Sequence, residues 1–93
     1  MIIGILKIDL YLPGSFSLKE KRMVLKSVKD RVRKAFNVSI SELDDHDKWQ
    51  RARLGIAAIG ISKQNINSLL DKIVNFIEKV KNLEISDYEM EII

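Results

Sequence analysis

The chain has 93 residues, 46% of them hydrophobic, with one proline, no cysteine and 16 Lys and Arg against 13 Asp and Glu, a formal net charge of +3. That length makes a single domain, 1–93, near the lower end of what buries a useful core without staples. Without cysteine there is no disulfide framework, thiolate zinc site or redox motif. No segment approaches the ~20 apolar residues a membrane span needs. The opening run MIIGILKIDLYLP is broken by Lys7 and Asp9, and no small-residue cleavage site follows it, so the expected home is the cytoplasm.

Residues 2–12 alternate, with Ile2, Leu6, Ile8, Leu10 and Leu12 on one side and Lys7, Asp9 and Tyr11 on the other, which predicts a strand with one buried face. Pro13-Gly14 breaks it. Ser17-Leu18-Lys19-Glu20 reads as a capping box, opening a helix to about Phe36 with Leu18, Leu25, Val28, Val32 and Phe36 along one stripe. A second strand over 38–43 turns Val38 and Ile40 inward, and Leu43 falls out of phase, which predicts a bulge near Ser41-Glu42. A third strand spans roughly 50–61, with Ala52, Leu54, Ile56 and Ala58 on one face. Ser62 caps a second helix whose stripe is Ile66, Leu69, Leu70, Ile73, Ile77 and Val80. The last strand, about 84–92, turns Tyr88, Met90 and Ile92 inward. The order βαββαβ predicts an α+β, ferredoxin-like sandwich: a four-stranded antiparallel sheet, first and third strands central, with both helices on one face.

The runs LPGSFSLKEKRMVLKSV and FNVSISELDDHDKWQRARLGIAAI, with the acidic final strand, resemble the YlxP-like family of small bacterial proteins over the whole chain. The resemblance implies a ferredoxin-like fold, often dimeric, and a gene placed among translation and ribosome-maturation genes. It brings no established activity and no catalytic residues.

Charge is unevenly placed. Residues 19–34 hold eight of the sixteen basic residues, while 42–47 and 84–91 are acidic. Lys19, Arg22, Lys26, Lys29 and Arg33 recur at steps of three and four on one side of the first helix, with Arg31 and Lys34 nearby. Such a row can track phosphates, each contact releasing a counterion, or it can be a solvated helix flank. Arg51 and Arg53 extend the candidate nucleic-acid surface.

Other clusters read as structural. Pro13 to Ser17 leads into a helix N-terminus but is not a P-loop. Glu42, Asp44, Asp45 and Asp47 surround the one histidine, His46, yet lack the EF-hand pattern and a second histidine, so a polar turn paired with Lys48, Arg51 and Arg53 is expected and no metal or other cofactor is implied. No catalytic arrangement can be assembled, which points away from an enzyme. Trp49 reads as a cover on the core rim, its indole N–H bonded to an acidic neighbour, in preference to an exposed base-stacking platform.

Ile3, Ile5, Ala57, Ile59 and Ile61 fall on the sheet face away from the helices, an apolar patch that predicts a homodimer. Only Tyr11 offers an aromatic there, too few for the stacked pair of an RNA-recognition motif. Two functions therefore stand: a non-enzymatic accessory factor that binds RNA or a ribosomal subunit through its basic helix, or a homo-oligomeric module that binds a small ligand or protein on the open sheet.

Overall fold

The computed structural model describes all 93 residues, in the order β1 (Ile2–Tyr11), α1 (Leu18–Ala35), β2 (Ser39–Asp44), β3 (Arg51–Gly60), α2 (Lys63–Glu78) and β4 (Glu84–Ile92). The strands form one antiparallel sheet in the order β2-β3-β1-β4, the ferredoxin-like arrangement, with β1 and β3 central. Eighteen buried hydrophobic residues make a single core between one sheet face and the two helices. No helix is long and apolar enough to cross a membrane.

The alternation expected of β1 and β3 is present: Leu6, Ile8, Leu10, Ala52, Leu54, Ile56 and Ala58 are all buried. From α2 come Ile66, Leu70, Ile73 and Ile77, and also Val74, which the expected stripe omitted. Gly4 sits on the same face, where a Cβ would run into Ile66 and lie 3.2 Å from Leu70 Cδ1, so this close approach of helix to strand depends on glycine. Phe36 lies just beyond α1, where its ring meets Phe76 edge-on at 5.5 Å.

The capping box is built one residue off the simplest pattern. Ser17 Oγ accepts from the Glu20 N–H, but Glu20 reaches past Ser17 to accept from the N–H of Phe16 at 2.9 Å. The carboxylate thus fastens the loop just ahead of the N-cap, the structural role expected for it.

Two register shifts set the sheet edges. The β2 bulge falls one residue later than expected: the register shifts between Glu42 and Asp44, leaving Leu43 as the extra residue, folded over Gly55 on the open face. In β4 an unexpected shift falls opposite Asp9/Leu10, where Ser86 is passed over and its hydroxyl bonds the Asp9 carbonyl at 3.1 Å. The shift brings Ile85 beside Leu10. Met90 and Ile92 pack against the core as expected, but Tyr88, in register with the buried Ile8, remains 45% exposed. It lies on the edge strand, with no strand beyond it to enclose the ring.

Candidate functional site

The expected α1 stripe runs Leu18, Leu25, Val28, Val32, with a step of seven where a helix would place another inward residue. Lys21 fills that gap and is fully buried. Its ammonium donates to the Arg51 carbonyl at 3.0 Å and to the Asp45 carbonyl, and it pairs with Glu42 at 3.1 Å. Glu42 faces the helices because it stands opposite Leu54 in the alternation of β2 and β3. A buried ammonium has donors to satisfy and a charge to match: the two carbonyls accept its hydrogen bonds and the Glu42 carboxylate matches its charge. Lys21 thereby pins the first turn of α1 to the segment that joins β2 to β3, whose Asp45 adopts a left-handed conformation (φ 65°).

That segment uses its acids internally. Asp45 pairs with Lys48 at 3.0 Å, a hydrogen bond that holds the Lys48 ammonium above its usual pKa range. Asp44 accepts from the Asp45 N–H, and His46 Nε2 lies 3.9 Å from Glu42. Of the three partners expected for this turn, Lys48 takes the role, Arg51 and Arg53 do not, and Lys21 supplies the principal contact.

The basic row lies on the α1 flank beside β2, where the Arg33 guanidinium donates to the Ile40 carbonyl at 3.0 Å. Lys26 and Arg33 share one carboxylate, Asp30, at 2.7 and 3.7 Å. The Lys26 hydrogen bond holds the Asp30 carboxyl below its usual range. Lys19, Arg22 and Lys29 form no ion pair, and none of the row is tied to the acidic turn or to β4. On the other flank Met23, Val24, Ser27 and Arg31 line a groove of about 590 Å³ that Lys79, Val80 and Lys81 close from the end of α2, with no carboxylate in its lining. This second basic surface was not expected, because Lys79 and Lys81 are distant from α1 in the chain.

On the open sheet face the two expected arginines differ. Arg53 is held between Asp9 at 3.1 Å and Glu89 at 3.2 Å, so its charge is already matched. Arg51 carries no carboxylate and lies over the Tyr11 ring, 4.9 Å from its centroid. Trp49 departs from the expected rim position: it is 53% exposed, and although Asp47 stands two residues away, the indole N–H bonds no acidic neighbour.

At the other end of that face the register brings Ile3 opposite Ile59 and Ile5 opposite Ala57. Ile59 is 70% exposed and Ile61 95%, while Ile3 and Ile5 are half-buried. Ile93, which exchanges backbone hydrogen bonds with Ile3, extends the patch.

A family model described as "Protein of unknown function (DUF503)" matches residues 3–90. A relative in Bacillus subtilis (strain 168), bearing the name "Uncharacterized protein YlxP", is 40% identical over 83 residues, which cover 89% of this chain and 90% of the relative. Among solved structures, the "De novo designed protein Foldit4" matches 100% of this chain and 97% of its own, with a TM-score of 0.55 at 16% identity, a likeness of fold alone.

Proposed function

We propose, for a chain that belongs to the DUF503 family of proteins of unknown function, that it is a non-enzymatic accessory factor whose helix α1 binds RNA, free or within a ribosomal subunit. The observation that carries this reading is the mismatch on the α1 flank. Five cations at helical spacing face a single carboxylate, Asp30, and three of the five have no ionic partner. A helix that needed this row only for solubility gains nothing from repeated like charges three and four residues apart, which oppose helix formation. A polyanion relieves that repulsion, and counterion release makes the gain steeply salt-dependent. Arg31, Lys79 and Lys81 widen the positive field around the far side of the same helix.

The test is fluorescence anisotropy with a labelled ribosomal RNA fragment. About five phosphate contacts imply a loss of roughly a hundred-fold in affinity between 50 and 200 mM salt. Reversal of Arg22, Lys29 and Arg31 to Glu should abolish binding, and Asp30→Asn, which frees Lys26 and Arg33, should tighten it. Unchanged affinity in the triple reversal would sink the reading.

The exposed apolar end of the sheet favours a second, compatible reading, a homodimer through the open face. The cavity that borders this apolar end, lined by Ile5, Lys7, Glu89, Met90 and Glu91, measures about 200 Å³, below the usual range of roughly 300–1,000 Å³ for ligand pockets, which at this end of the sheet favours another protein surface over a small ligand. Because α1 lies on the opposite side of the sheet, pairing through this face leaves both basic flanks outward.

A further inference from the structure

Trp49, Tyr11 and Arg51 converge on a shallow depression of about 600 Å³ at the charged end of the open face, with Asp47, Lys48 and Gln50 as its rim. We propose that this depression stacks an unpaired nucleobase of the RNA held by α1, with Trp49 and the Arg51–Tyr11 pair as its aromatic and cationic walls; the inference rests on the α1 reading and names the nucleotide class it prefers.

Three observations support it. First, an indole 53% exposed beside a polar turn is an apolar surface without a partner in the fold. The Arg51 guanidinium, 4.9 Å from the Tyr11 ring centroid and free of any carboxylate, adds a planar cation on which a base can stack. Bases stack on such planes without regard to identity, because each has a π-face. Secondly, the rim chemistry suits a base better than a phosphate. Lys48 is held by Asp45, and Asp47, which forms no ion pair, adds a negative charge that repels a phosphate and accepts from an N–H on a base edge. Thirdly, the platform is tied to the helix that carries the basic row. Lys21 bonds the carbonyl of Arg51 itself, which fixes the start of α1, with Lys19 and Arg22, to the strand end that carries the platform on its other face. A single strand that leaves α1 and passes round this end of the sheet can place one base in it.

Trp49 is the only tryptophan of the chain, so its emission reports the site directly. The probes are a single-stranded RNA 12-mer and an abasic ribose-phosphate strand of the same length and charge. The base-bearing strand should quench Trp49 emission saturably, and the abasic strand should bind without quenching. Trp49→Ala should weaken the base-bearing strand alone by about 5- to 100-fold, with Trp49→Phe restoring most of the affinity. Equal affinity of both strands without quenching overturns the stacking site and leaves the α1 reading standing. Quenching that survives the Arg22/Lys29/Arg31 reversal at full affinity overturns the α1 reading instead. Binding of neither strand overturns both.

Discussion

Lys21 shows how one residue can decide where a helix sits. The heptad gap between Leu18 and Leu25 reserves an inward place for position 21, and the inward phase of Val38 and Ile40 reserves one for Glu42. Both assignments were available in the alternation of the sequence, but the charge of each residue argues for the surface. Only their meeting across α1 and β2 makes burial tolerable, since each matches the charge of the other. Lys21→Met should therefore cost about 3 kcal/mol, because it leaves Glu42 without its cation and two carbonyls without a donor. Urea unfolding measures this, and a midpoint unchanged from the parent chain would show that the contact contributes nothing. Combining Lys21→Met with Glu42→Leu should recover part of the loss, because the carboxylate that lost its partner is then gone.

Elements were legible wherever one face is buried and the other wet. Both helices, their serine caps and the alternation of β1 and β3 follow from period and capping chemistry alone. The edge strands were harder. In β2 the phase error at Leu43 was visible, but its placement was settled by Gly55, which leaves room for the extra side chain on the open face. In β4 the shift at Ser86 left no such mark, because Ile85 and Tyr88 each fit a strand and only pairing with β1 shows that they share a face. The contact of β1 with α2 makes its own prediction. Gly4→Ala should destabilise by about 1–3 kcal/mol through overpacking against Ile66 and Leu70. Gly14→Ala, where an added Cβ meets nothing within 4 Å, should change stability by less than about 0.5 kcal/mol. Thermal or urea unfolding of the two variants side by side distinguishes close packing from a general intolerance of glycine replacement.

At the scale of the whole molecule the surface divides into a basic helical side, a charged sheet end with an exposed tryptophan, and an apolar sheet end. The last of these predicts association. Analytical ultracentrifugation at low micromolar concentration should show a species of twice the 10.7 kDa chain mass, and Ile59→Glu should return it to the monomer without unfolding it, since Ile59 is 70% exposed. A parent chain that sediments as the monomer ends that claim. By itself the sequence determined the βαββαβ order, the sheet's two faces, the core stripes and the basic row, because each follows from spacing along the chain and from where solvent must lie. Tertiary structure alone decided which cations are free, that Lys21 is buried, that Arg53 is matched while Arg51 is not, and that Trp49 faces water. Those outcomes depend on which side chains from distant segments arrive within a few ångströms of one another, and a periodic pattern carries no distance between one element and the next.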